Sequence, residues 1–139
     1  LIKQVASDLS LEFEGLKTFI TLSPIPGLVK WWQKSHPSWN SDDEADLRSL
    51  AAHYLINEKL ENNLPLDPVA RFHLGNGAIV EKVHANADSS ENGKLQSWGC
   101  MVNYLYDLEQ VTKNHEEFVS RGRVRASREI VSLAKAFGL

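Results

Sequence analysis

Asp67-Pro68-Val69-Ala70-Arg71-Phe72-His73-Leu74-Gly75-Asn76-Gly77 runs directly into Ala78-Ile79-Val80-Glu81-Lys82-Val83-His84, and the reading of this stretch decides the fold. The carboxylate of Asp67 suits an N-cap, where it accepts from the free amides of a first helical turn. Pro68 has no amide hydrogen to lose at the first helical position. The spacing therefore predicts a brief helix to Leu74. Gly75-Asn76-Gly77 stops it, because glycine tolerates the positive φ of a helix C-terminus. Ala78 to His84 then reads as a strand.

On the C-terminal side, Cys100 to Leu108 predicts another strand. Val102, Tyr104 and Tyr106 fall on one face and Met101, Asn103 and Leu105 on the other. On the N-terminal side, Thr18 to Leu22 reads as a short buried strand. It must stop at Ser23-Pro24-Ile25-Pro26-Gly27, since each proline lacks an amide and the first disfavours helix at Ser23. Leu28 to Trp32 predicts a helical turn and Ser35 to Asn40 a loop. Ser41 with Glu44 has capping-box spacing, and a helix continues through Ala45, Leu47, Leu50, Ala51, Tyr54 and Leu55 until Asn62-Asn63-Leu64-Pro65 breaks it. Asp88-Ser89-Ser90 caps a turn of helix expected to fade by Gly93. Gln110 to Arg125 reads as a polar connection before a last helix, Ser127 to Phe137. Leu1, Ile2, Val5, Leu9, Phe13 and Leu16 space out an opening amphipathic helix with no cap before it, which leads us to expect sequence upstream. Helices alternating with strands give an α/β or α+β sheet protein.

Composition bounds the function. The chain has 139 residues, with 15 Lys plus Arg against 18 Asp plus Glu, a net charge of −3 that disfavours a general nucleic-acid binder. The single cysteine, Cys100, cannot form an internal disulfide or a thiolate metal site. No apolar run reaches the length of a membrane helix. His36, His53, His84 and His115 lack the spacing of a metal motif. There is no Gly-x-Gly-x-x-Gly or Walker A segment. Arg121, Arg123, Arg125 and Arg128 form a small basic cluster, read either as a phosphate attractor or as a solvated surface.

Two residues carry candidate chemistry. Ser23 sits where a strand gives way to a proline-locked turn, a place that presents side chains into clefts or merely caps the turn. His73 lies at the end of the predicted helix, where the dipole's negative end favours the protonated ring; it suits a proton donor or a structural histidine bonding a terminal carbonyl. Tyr104 and Tyr106 read as ordinary strand packing, though one of them could offer its hydroxyl to a cleft.

Thr21-Leu22-Ser23-Pro24-Ile25-Pro26-Gly27, the Asp67 to Ala78 string and Met101-Val102-Asn103-Tyr104-Leu105-Tyr106 together resemble the malonyl-CoA decarboxylase family, in the family's order. The resemblance covers nearly the whole chain, thinly between Ser35 and Leu64, where this sequence is shorter. It implies an α/β (α+β) partial acetyltransferase-like (GNAT) fold, a central mixed sheet flanked by helices, with 1–139 as the C-terminal portion of the catalytic domain and the upstream strands missing. It also implies decarboxylation of malonyl-CoA to acetyl-CoA and CO₂, in fatty acid metabolism, without metal or organic cofactor. Ser23 and His73 match the family's catalytic serine and histidine, and Tyr106 a tyrosine lining the site. The family's CoA phosphate loop and an acidic residue are expected upstream of Leu1. A homo-oligomer formed through the full-length protein is expected, with no nucleic acid or membrane partner. Phe137-Gly138-Leu139 is not a peroxisomal Ser-Lys-Leu address, so the expected location is cytoplasmic. Two other readings stand beside this one: an acyl-CoA-dependent acyltransferase of the same fold, and a non-catalytic fragment that binds a partner chain.

Overall fold

A computed structural model describes residues 17–137. The opening helix expected over Leu1 to Lys17 lies outside the described residues but for Lys17, which is not helical. Strands β1 (Thr18–Pro24), β2 (Ile79–His84) and β3 (Met101–Asp107) form a sheet in the order β1-β3-β2, both pairings antiparallel. Val80 adds a parallel bridge to Ala126, with its amide on the Arg125 carbonyl and its carbonyl on the Ser127 amide. The helices are α1 (Leu28–Ser35), α2 (Glu44–Asn57), α3 (Pro68–Gly75), α4 (Glu91–Ser97), α5 (Val111–Arg121) and α6 (Arg128–Phe137). This is the α+β class expected. Among the described residues, no helix is long and apolar enough to cross a membrane.

The alternation read in β3 is the spine of the molecule. Val102, Tyr104 and Tyr106 are fully buried, while Met101, Asn103 and Leu105 are half-buried on the other face. β1 follows the same period but is not buried throughout: Ile20 and Leu22 are each 57% exposed. Five apolar or β-branched residues in a row hid the alternation, and only Phe19, Thr21 and Ser23 turn to the covered face, opposite Tyr106, Tyr104 and Val102. Below that face, α2 contributes Leu47, Leu50, Ala51, Tyr54 and Leu55, and α6 contributes Ile130 and Ala134. Each fully buried Leu or Ile contributes roughly 1.5–3 kcal/mol. Arg48 of α2 bonds both the Val83 carbonyl at 2.9 Å and Glu129 of α6, which ties sheet, α2 and α6 together.

Several local readings are corrected. The cap of α2 is Asp43, whose carboxylate accepts from the Asp46 amide at 2.9 Å; Ser41 bonds the Asp43 amide instead of forming a box with Glu44. α1 runs to Ser35, because Trp31 and Trp32 pack against the rings of α2 and α6 and so extend the turn. α4 is capped by Ser90 as expected but continues past Gly93 to Ser97: Gly93 lies tight against Asp88, where a Cβ would not fit. The polar connection from Gln110 holds a helix, α5, whose buried side comprises only Val111, Asn114 and Phe118.

The decisive stretch behaves as read. Asp67 caps α3, its Oδ2 accepting from the Ala70 amide at 2.8 Å, with Pro68 at the first helical position. Gly77 follows at φ +91°, and a Cβ there would meet the Val111 carbonyl at 2.4 Å. Both conformation and space forbid a side chain. Gly77→Ala should therefore lower unfolding stability by about 2 kcal/mol or more. Gly75→Ala, whose Cβ meets nothing nearer than Phe118 at 3.9 Å, should be neutral or mildly stabilising in the same urea titration. Equal losses would show that neither backbone strain nor close approach governs this turn.

Candidate functional site

The β1/β3 register brings Thr21, Ser23, Tyr104 and Tyr106 to one face, and α3 crosses that face with His73 turned inward. Ser23 Oγ lies 3.2 Å from His73 Nε2, and His73 Nδ1 lies 2.6 Å from the Tyr106 hydroxyl. Thr21 Oγ1 stands 3.3 Å from Ser23 Oγ, extending the chain by one hydroxyl. Ser23 and His73 are 6% and 5% exposed, enough to be reached and little enough to be largely desolvated. The Tyr104 ring stacks on the imidazole, with centroids 4.4 Å apart and planes 21° from parallel.

All three residues singled out in the sequence thus meet in one hydrogen-bonded line. Thr21 and the stacking role of Tyr104 were missed as site parts. Their signal was available, since i, i+2 neighbours of Ser23 and Tyr106 on a strand must share their face.

The protonation state expected of His73 is corrected. Burial lowers its pKa to about 4, so the ring is neutral near pH 7. The helix end does not decide the state of the ring: its nitrogens face Ser23 and Tyr106 rather than the terminal carbonyls, and burial outweighs the dipole. Burial also raises the pKa of Tyr106, which keeps its proton. Asp67, fully buried, is raised to about 6 by the same cause, opposed by the backbone amides it accepts.

The remaining candidates are engaged elsewhere. His36 stacks on Trp32, His53 bonds Glu58 at 2.8 Å, His84 meets Asn103 and His115 meets the Gly75 carbonyl at 2.7 Å. Among the described residues, no three His, Cys, Asp or Glu side chains gather as a metal site. Arg125 is held by Glu117 at 2.8–2.9 Å, with Arg123 also within 4.0 Å of that carboxylate, so the basic cluster is partly neutralised. Cys100 is buried and its thiol is pushed up to about 11, which leaves it a small apolar residue.

These pKa directions oppose each other in stability. Between about pH 6.5 and 4 the unfolded chain protonates His73 while the folded chain resists, so acidification removes stability. Asp67 does the reverse between about pH 6 and 3.8, since the folded carboxyl takes its proton first. His73→Gln removes the His73 effect and leaves that of Asp67 in place. Its Tm relative to the parent should rise as pH falls from about 7 to 4. A difference independent of pH would show that His73 is not held neutral.

The chain matches the family described as malonyl-CoA decarboxylase C-terminal domain over residues 1–46 and 34–137. It is 32% identical to the mitochondrial malonyl-CoA decarboxylase of Rattus norvegicus over 183 residues, covering 99% of this chain and 37% of that protein. The Anser anser anser enzyme is 28% identical with similar coverage. Among solved structures, malonyl-CoA decarboxylase from Rhodopseudomonas palustris superposes with a TM-score of 0.85 at 38% identity, covering 96% of this chain and 37% of that one. The Agrobacterium vitis enzyme gives 0.79 at 40% identity, covering 95% and 39%. This chain therefore spans a little over a third of the curated relatives' length. An alignment of 183 residues against 139 here, with the family match split at 34–46, agrees with the shortening expected between Ser35 and Leu64. The cytoplasmic expectation is overturned: the curated rat, mouse and goose relatives are mitochondrial by name. The lack of a Ser-Lys-Leu ending bears on one receptor only, and other compartments are addressed by different signals.

Proposed function

Since this chain belongs to the malonyl-CoA decarboxylase family, we propose that its Ser23–His73–Tyr106 line is the working centre of a carboxy-lyase that converts malonyl-CoA to acetyl-CoA and CO₂. In this reading, residues 1–139 are the C-terminal portion of a catalytic domain of acetyltransferase-like fold. The observation that carries it is the buried serine–histidine contact, backed by a tyrosine that keeps its proton.

The chemistry follows from what the atoms can do. Breaking the bond between carboxylate and α-carbon releases CO₂ and leaves an electron pair that the thioester carbonyl takes up as an enolate. The α-carbon then needs one proton. The thioester is its own electron sink, so no cofactor is invoked. Protonated Tyr106 has one hydrogen-bond partner among the described residues, His73 Nδ1, so its proton is directed there. Nδ1 is then the acceptor and Nε2–H donates to Ser23 Oγ, which frees the serine hydroxyl proton for the substrate's carboxylate or enolate oxygen. Donors fixed in advance toward developing negative charge are the most effective electrostatic catalysts. A malonyl carboxylate seated beside the ring raises the pKa of His73 above its resting value near 4, since an opposite charge favours the imidazolium. Substrate thus favours uptake of one solvent proton by the ring, which passes it to the α-carbon and returns to its neutral form.

In the intact protein, Ser23→Ala and His73→Ala should each cut CO₂ release from malonyl-CoA by about 10²-fold or more. Tyr106→Phe should cost about 10-fold by freeing the ring's tautomer. Labelled CO₂ released without any acyl acceptor separates this reading from acyl transfer. Near-normal rates in both alanine variants would sink it.

A further inference from the structure

Behind the His73 ring lies a second polar cluster that the proposed chemistry does not use. The Tyr104 hydroxyl is fully buried and has no hydrogen-bond partner among the described residues. Asp67 is completely buried as well. Its Oδ2 serves the Ala70 amide, but its Oδ1 has no partner. Arg71, one turn along α3, buries an Nε–H that is likewise unpaired. Asp67 caps α3 and Arg71 lies on its first turn, while the Tyr104 ring stacks on His73 of the same helix, and the Asp67 charge adds to burial in holding the Tyr104 hydroxyl protonated. Tyr54 of α2 feels both Asp67 and Arg71. A carboxylate acceptor, a guanidinium donor and a hydroxyl that is both are chemically complementary. One orphaned buried polar group costs about 1–3 kcal/mol, and native interiors rarely leave several together.

We propose that Asp67 Oδ1, Arg71 Nε and Tyr104 OH are joined through a buried water into one network, which makes Asp67 a positioning residue for His73. A bridging water needs two to four polar partners, and this trio supplies three. The cap of the helix that carries His73 and the ring on which the imidazole lies then become parts of one unit. The imidazole keeps its plane relative to Ser23 and Tyr106 because neither support moves alone. The functional half of the inference rests on the decarboxylase reading; the network itself rests on burial and donor–acceptor complementarity.

Three substitutions test it. Tyr104→Phe keeps the ring stack and removes the hydroxyl. Asp67→Ser keeps a capping oxygen and removes the second one. Asp67→Asn keeps both cap and volume and serves where the serine variant folds poorly. In the intact protein, the double variant should lose less Tm than the sum of the single losses, as expected when two residues share one network. The ring-nitrogen NMR resonances of His73 should shift in each variant. For malonyl-CoA turnover, kcat should fall about 10-fold with KM within about twofold, the split expected when geometry rather than binding is disturbed. Additive Tm losses overturn the network. Coupled losses with unmoved His73 resonances and unchanged kcat overturn the positioning role. A parent protein that releases no CO₂ overturns the decarboxylase reading instead, and the Tm cycle and His73 resonances then decide this inference alone.

Discussion

The antiparallel register between Thr18–Pro24 and Met101–Asp107 places Ser23 across from Val102 and Thr21 across from Tyr104. Side chains on a strand alternate with period two, so a slip of one residue would turn Ser23 and Thr21 outward and bring Leu22 and Ile20 into the site. The register is held by burial. Val102, Tyr104 and Tyr106 have no exposure to lose, whereas Ile20 and Leu22 sit on the open face. The proline-locked turn then ends β1 at Pro24, and Ile25 and Leu28 are buried beyond it, so the serine is fixed from both sides. α3 depends on this frame, because its single inward histidine has meaning only against the residues that face it.

The state of His73 shows two opposing effects of different size. A helix C-terminus stabilises a cationic side chain by about 0.3–1 kcal/mol at the surface and up to about 2 in partly buried settings. Removal from water penalises the charged ring by as much as several pKa units. Here burial prevails, and the ring rests neutral between two hydroxyls. Such a ring donates through one nitrogen and accepts through the other, and a nearby anion favours its taking up a proton.

The match to the malonyl-CoA decarboxylase family breaks at a place that the fold explains. The family match divides within 34–46, which spans the connection from α1 to α2 at the edge of the molecule. The site is assembled from β1, α3 and β3, all outside that connection. Length can change there without moving Ser23, His73 or Tyr106, as is usual for surface connections that carry few long-range constraints.

Local patterns in the sequence determined local geometry. The alternation of Met101 to Asp107, the Asp67-Pro68 cap, the Gly75-Asn76-Gly77 stop and the end of β1 at Pro24 were all legible, because each is fixed by dihedral limits or by the nearest amides. α5 was not, since its buried side is two apolar residues with Asn114 between them in an otherwise largely polar segment, which reads as a polar connection. The cap at Asp43 was misplaced by two residues because Ser41 offers an equally good local pattern. The motifs named Ser23, His73 and Tyr106, yet not their contact or their charge. Those residues stand 50 and 33 positions apart in the chain, and burial by distant side chains, not neighbouring sequence, makes the histidine neutral and aligns it. Sequence determined which groups were available; tertiary structure decided their desolvation and mutual distance, because both depend on contacts that exist only once the sheet and α3 have closed on each other.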